Sequence, residues 1–255
     1  MRRRYEQRLL GGMRGERKVR MIVATSDWHA DAVTAGVPRL KDVQAAVANV
    51  LGMVRSYGSN MTAMVFAGDL SNPDSPRAWA AVELMMQVAV ELRDREVPFL
   101  LLTGNHDVCE DGGGSHVLQP LRPIATVADE PQTGTWHDSR RGRMIRWLAL
   151  PFVPACRAYD PQVVVETIAP GEHVDVVVSH LNVEGIGPGS ETTDFARGRQ
   201  VFLPLAAIRR RWPKAQILQG HYHRPHVFEG VTVIGSLERF TVADAGEPRS
   251  FVTMR

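Results

Sequence analysis

The chain has 255 residues, 44% of them hydrophobic and 23% charged, enough for one full buried core and ordinary for a globular protein. No apolar stretch approaches the roughly 20 residues of a membrane span, and the Arg-rich start lacks the apolar core of a secretion signal. A membrane protein is therefore not expected, and the location expected is cytoplasmic. The net charge of +2 hides an asymmetry: residues 1–20 hold eight Arg or Lys and two Glu, leaving 22 basic and 26 acidic residues for the rest. This excludes a globally basic body, so any polyanion must be met by a local patch or by the basic arm.

Residues 1–20 are read as a disordered basic extension, either a phosphate-seeking tail or, because Met13 and Met21 are both in-frame starts, a dispensable upstream stretch. Residues 21–255 are read as one domain. The two cysteines, Cys109 and Cys156, form no close pair, so neither a disulfide framework nor a thiolate zinc site is expected.

In chain order, Val19 to Thr25 is a β-branched apolar run and predicts a strand. Pro38 to Tyr57 follows with Leu40, Val43, Val47, Val50, Leu51 and Val54 at helical spacing. The unit recurs: Thr62 to Ala67 predicts a strand, Pro76 to Arg95 a helix with Ser75 as N-cap and Pro76 at its first position, and Val97 to Thr103 a third strand. A glycine loop spans Asp111 to Ser115. Met144 to Leu150 predicts a strand, Pro161 to Ile168 a short helix, and His173 to Val178 a strand. After the Gly-rich loop Gly185 to Gly189, Leu203 to Arg211 predicts a helix and Gln216 to Gln219 a strand. The tail predicts short antiparallel strands at Val227 to Phe228, Val231 to Ile234, Leu237 to Val242 and Ser250 to Thr253, with turns at Gly230 and Gly246. Near-continuous apolar strands alternating with helices indicate an α/β fold whose sheet is covered on both faces.

Five polar clusters sit at the ends of these apolar runs: Asp27-Trp28-His29, Gly68-Asp69, Gly104-Asn105-His106-Asp107, Ser179-His180 and Gly220-His221-Tyr222-His223. Strand ends of one sheet converge at one edge, so segments far apart in sequence can share a site. Carboxylate, amide oxygen and imidazole without a thiolate are the ligands of hard or borderline divalent ions. Read as extended backbone, Asp27 and His29 point to one side and grip a first ion. Asp69, with two carboxylate oxygens, bridges two ions. Asn105, His180 and His221 complete the second shell, and His223 returns to the first. Two ions held roughly 3.5–4 Å apart activate a shared water for in-line attack on phosphorus. His106 is left to protonate the leaving group and Asp107 to orient its ring. His116, His137, His173 and His226 have no partner in any cluster and are read as surface or structural.

The ordered set D-W-H, G-D, G-N-H-D, H and G-H-Y-H resembles the calcineurin-like metallophosphoesterases. That resemblance implies a four-layer sandwich of two β-sheets flanked by helices, with the ligand roles just described. Three stretches further resemble the SbcD type of DNA double-strand-break exonuclease: Thr25 to His29, Leu181 to Gly185, and Gly235 to Phe240. It implies a Mn²⁺-dependent DNA nuclease, with Fe²⁺ or Zn²⁺ as the other metals the shell suits. DNA, an SbcC-like ATPase subunit and a second copy of the chain are the expected partners. Proteins of that type continue into a capping domain, whereas this sequence runs only fifteen residues past Phe240, so no capping domain is expected. Asn72 stands where the family often has an ionisable Asp or His, and an amide there orients a phosphate without exchanging protons. Arg197, Arg199 and Arg239 are the candidate contacts to the strand. The competing readings are a nucleotide phosphodiesterase or phosphoprotein phosphatase on the same metals, and a binding module that kept the fold without the reaction.

Overall fold

The computed structural model describes residues 21–109, 114–138, 142–153, 157–168, 171–187, 201–241 and 244–254; residues 1–20, Arg197 and Arg199 lie outside them. The first half runs β1 (Met21–Thr25), a small hairpin of β2 (Val33–Thr34) and β3 (Val37–Pro38), α1 (Leu40–Tyr57), β4 (Met61–Phe66), α2 (Ala78–Asp94), β5 (Phe99–Leu102) and β6 (Thr126–Ala128). The second half runs β7 (Gln132–Asp138), β8 (Arg143–Leu150), α3 (Pro161–Thr167), β9 (Val176–Ser179), α4 (Leu205–Arg211), β10 (Gln216–Gln219), β11 (His226–Phe228), β12 (Val231–Val233) and β13 (Val252–Met254). One sheet has the order β13-β1-β4-β5-β6 and the other β11-β12-β10-β9-β8-β7. The strands β1, β4, β5 and β6 are mutually parallel, as are β8, β9, β10 and β12; β13, β7 and β11 are the antiparallel edges.

The period of two along each strand explains the layering. Met21, Val23, Met64, Phe66, Phe99 and Leu101 face α1 and α2, which return Val43, Val47, Val50, Met85 and Val88. Their alternates Ile22, Ala24, Val65, Leu100 and Leu102 face Trp136, Ile145, Trp147, Val176 and Leu218 of the other sheet. The outer face of that second sheet, Leu148, Leu150, Val177, Ile217 and Val233, packs on Val165 of α3 and Ile208 of α4. Helix, sheet, sheet and helix thus make the four layers that the motif resemblance implied, with two large sheets where the hydrophobic pattern alone indicated one. Each fully buried side chain of this size contributes roughly 1.5–3 kcal/mol by leaving water, and three interlayer cores share them.

Several details depart from the sequence reading. Helix α2 begins at Ala78 rather than Pro76, with Arg77 and not Ser75 at its N-cap; the Ser75 Oγ accepts from the Arg77 N–H in the turn before the helix. Strands β6 and β7 were not anticipated. In β7 the sequence Gln-Thr-Gly-Thr-Trp hides the period because one face is open, and Gly134 is there for Trp147, whose ring atom Cζ2 would lie 2.2 Å from an added Cβ. Leu237 to Phe240 is an irregular turn and not a strand. The tail does not form one antiparallel set: β12 is parallel to β10 in one sheet, while β13 pairs with β1 in the other. No helix among the described residues is long and apolar enough to cross a membrane.

Candidate metal centre

All five clusters follow the C-terminal ends of parallel strands: Asp27 after β1, Asp69 after β4, Asn105 after β5, His180 after β9 and His221 after β10. The two sheets therefore deliver their loops to one edge of the sandwich. The loops are stitched together by backbone bonds, Asp27 N–H to Gly68 O at 2.8 Å and His29 N–H to Asp69 O at 3.1 Å. They are not extended, as had been expected for Asp27 and His29. Asp27 (φ 52°), His29 (φ 37°), Asp69 (φ 64°) and His221 (φ 75°) all occupy the left-handed region, a cost that the surrounding structure must over-determine. Glycines make the approach close enough. A Cβ on Gly68 would lie 2.3 Å from His180 Nδ1, and one on Gly104 would lie 2.1 Å from Asp69 Oδ1.

Three groups of side chains offer ligand atoms within 4.8 Å of one another: Asp27, His29 and His223; His29, Asp69 and His106; Asp69, His180 and His221. His29 belongs to the first two and Asp69 to the last two, so the groups form one continuous row. Asp69 Oδ1 accepts the His106 backbone N–H at 2.9 Å. That leaves Oδ2 facing both ways, 3.3 Å from His180 Nε2 and 3.8 Å from His29 Nε2. His180 Nδ1 lies 2.5 Å from Ala67 O, and since a carbonyl only accepts, Nδ1 carries the proton and Nε2 presents a lone pair. Asn105 Oδ1 lies 3.1 Å from that Nε2 and 3.0 Å from His221 Nδ1. His29 and His223 face each other through their Nε2 atoms at 3.0 Å.

Such a concentration of lone pairs requires positive charge. Both carboxylate oxygens of Asp27 are buried without a hydrogen-bond partner, an arrangement too costly to leave uncompensated and one that a cation resolves. Protons respond to the same field. Burial, with the Asp69 carboxylate adding to it, pushes Asp27 up to about 6. Burial would also raise Asp69, but the surrounding His180 and His106 outweigh it and hold that carboxyl well below its usual range. Burial would lower His180, yet the Asp69 carboxylate drives it up to about 9. His29 is held well below its ordinary value by burial and by His106 and His223. The donor set and its orphaned carboxylate fit divalent ions.

The calcineurin-like phosphoesterase family model matches residues 21–225. The chain belongs to the calcineurin-like phosphoesterases. No curated relative matches it. As a member of that family it is a metal-dependent phosphoester hydrolase, and the row of His and Asp groups is its candidate metal site.

Within this phosphoesterase, Asp107 has a different employment from the one expected. Its Oδ2 accepts from the backbone N–H groups of Asp69 (2.9 Å) and Gly104 (2.8 Å), and its Oδ1 from those of Leu70 (2.7 Å) and Ser71 (3.3 Å). Four donors fill the roughly four lone-pair sites of a carboxylate, so Asp107 clamps the loop that carries Asp69 instead of steering the His106 ring. Burial and the Asp69 carboxylate push its pKa up to about 7, against the pull of the Gly104 and Leu70 amides. The His106 ring packs edge-on to His29, centroids 4.9 Å apart, at the row's open side where both residues are only half-buried.

The proposed substrate contacts fare unevenly. Asn72 is exposed on the loop after Asp69, but its Oδ1 is used to accept the Asp74 N–H at 2.9 Å. Arg239 is half-buried and donates its Nε–H to Glu247 O at 2.7 Å. His116, read as surface or structural, is structural: it is buried beside Asp129, which Arg122 and Arg157 also contact. The tail contributes what the motifs did not announce. The Phe240 ring packs against His29 (5.3 Å) and His223 (6.1 Å), and Asp244 lies behind His223. Phe240 ends the Gly235 to Phe240 stretch singled out in the sequence, whereas Asp244 belongs to no motif.

Proposed function

We propose that this phosphoesterase is a two-metal phosphodiesterase acting on DNA, working with two Mn²⁺ ions in the cytoplasm. The observation that carries the two-metal part is Asp69 Oδ2, one buried oxygen placed between His180 on one side and His29 on the other. Asp27, His29, His223 and Asp69 would hold one ion, and Asp69, Asn105, His180 and His221 the other. Divalent ions held there would lower the pKa of a bound water toward neutrality. The protein's own part is to hold the phosphoryl group against that row and to protonate the departing oxygen, a role that the half-buried position of His106 at the row's edge supports.

The DNA part is supported by the three SbcD-like stretches, whose side chains also bond within the loops around the metal row. Thr25 Oγ1 accepts the Trp28 indole N–H, Val183 N–H bonds Tyr222 Oη, and Glu238 receives Arg249 at 2.7 Å. These bonds brace the loops around the candidate metal row. Purified protein with single-stranded DNA, duplex DNA, a phosphomonoester and a chromogenic bis-ester will rank them directly. Cleavage of single-stranded DNA in Mn²⁺ is expected, with duplex exonuclease activity rising only when an SbcC-like ATPase is added. Efficient monoester or cyclic-nucleotide hydrolysis with DNA untouched would overturn the nuclease reading in favour of a nucleotide phosphodiesterase.

Two further results are expected. Protein dialysed against chelator should be inactive and recover more activity with Mn²⁺ than with Mg²⁺, because imidazole-rich shells suit Mn²⁺ while Mg²⁺ keeps oxygen ligands and water; full hydrolysis in excess chelator would contradict this. His106→Ala should keep both ions and lose roughly 10²-fold or more in rate, the range for a general acid. Metal content decides the point, since loss of an ion in that variant would make His106 a ligand.

A further inference from the structure

We propose that Asp244, which belongs to none of the five motifs, is the positioning carboxylate for His223. It sets the tautomer and heading of that imidazole, so that Nε2 presents its lone pair to the first ion. The inference rests on the two-metal reading and deepens it.

Asp244 is buried, 4% exposed, and one of its oxygens is immobilised. Oδ2 accepts from Phe240 N–H (2.9 Å), Thr241 N–H (2.8 Å) and the Thr241 hydroxyl (3.1 Å). The other, Oδ1, lies 3.8 Å from His223 Nδ1. On the opposite edge of the same ring, Nε2 lies 3.0 Å from His29 Nε2, within the group that includes Asp27. One imidazole thus has a fixed carboxylate at one nitrogen and the candidate metal row at the other. A carboxylate facing Nδ1 favours the proton there, because N–H toward negative charge is attractive and a lone pair toward it is repulsive. That leaves Nε2 unprotonated and raises its basicity toward a metal.

The backbone locks the arrangement. Ser236 N–H bonds His223 O at 3.0 Å, and Ser236 forms a bridge with Ser26 beside Asp27. Gly235 (φ 79°) makes room for Pro225, 2.8 Å from where its Cβ would be. Two residues near the C-terminus thus meet the first-ion imidazoles, Phe240 as an apolar wall and Asp244 as a charge.

Asp244→Asn tests this with the least disturbance to the turn. The amide oxygen still accepts from Phe240 and Thr241, while an NH₂ donor faces Nδ1 and draws out its lone pair. Titration calorimetry with Mn²⁺ on the full chain should show affinity for one of two ions weakened by about 10–100-fold, the usual cost of losing such a partner. The metal-free protein gives a second readout: ¹⁵N shifts of His223 should report Nδ1–H in the wild type and Nε2–H in Asp244→Asn. Thr241→Val, which removes one of the three donors to Oδ2 and keeps the carboxylate and both backbone donors, should weaken Mn²⁺ binding far less than Asp244→Asn and leave Nδ1–H on His223. Unchanged affinity and an unchanged tautomer in Asp244→Asn would overturn the inference. A wild type that binds fewer than two Mn²⁺ would instead overturn the two-metal reading, and the tautomer comparison would still decide the role of Asp244.

Discussion

Asp69→Ala is expected to abolish hydrolysis, lowering kcat/KM by about 10³-fold or more, which is about 4 kcal/mol of transition-state stabilisation. The reason is geometric. Asp69 Oδ2 lies within 4 Å of both His180 Nε2 and His29 Nε2, and its companion Oδ1 holds the His106 backbone at 2.9 Å. Alanine removes the shared ligand, the negative charge beside His180 and His29, and the tie that sets the His106 loop. Metal content measured by mass spectrometry should fall below two ions per chain, in contrast to His106→Ala. The fold should survive, because the strand before it, Met61 to Phe66, is held by its own buried side chains. Retention of both ions at wild-type affinity would show that the bridge lies elsewhere.

Asp107→Ala is expected to be the most destabilising single change in the centre. It strands four buried backbone N–H groups, those of Asp69, Leu70, Ser71 and Gly104. Each unsatisfied donor costs roughly 1–3 kcal/mol, and water entering the space left by the side chain recovers part of it. A net loss of about 3–5 kcal/mol follows, the range for removing one partner of a buried charge, or a fall in Tm of about 10 °C or more for a chain of this size. Thermal unfolding of the metal-free protein isolates this effect from metal binding. Asp107→Asn should recover only part of it, since an amide nitrogen cannot accept. A Tm within about 2 °C of wild type in Asp107→Ala would show that the loop between Gly68 and Ser71 holds itself.

Much of this centre was legible before any tertiary structure. Asp27, His29, Asp69, Asn105, His180, His221 and His223 could be picked out because each follows an apolar run that had to be a buried strand, and parallel strands release their loops at a common edge. The same logic failed where the period was masked. Strand β7 carries Gly134 against Trp147 and exposes its alternate residues, so no apolar alternation marks it. It failed again at Leu237 to Phe240, where alternating residues mimic a strand but serve separate neighbours: Leu237 the helical core, Glu238 the Arg39 and Arg249 guanidinium groups, and Phe240 the His29 ring.

By itself, the sequence determined the chemistry of the ligands and the strands that carry them, because residue type and hydrophobic period are local properties of the chain. Which way each side chain serves was decided only by tertiary structure. Asp107 and His106 are adjacent in sequence, yet one carboxylate turns inward to four backbone amides while the imidazole turns to the His29 ring. Asp244 comes to His223 from beyond the last motif, and its carboxylate is held by Phe240 and Thr241. Orientation within a loop depends on donors and acceptors contributed by segments far away in the chain, and a burial pattern read along one segment does not contain them.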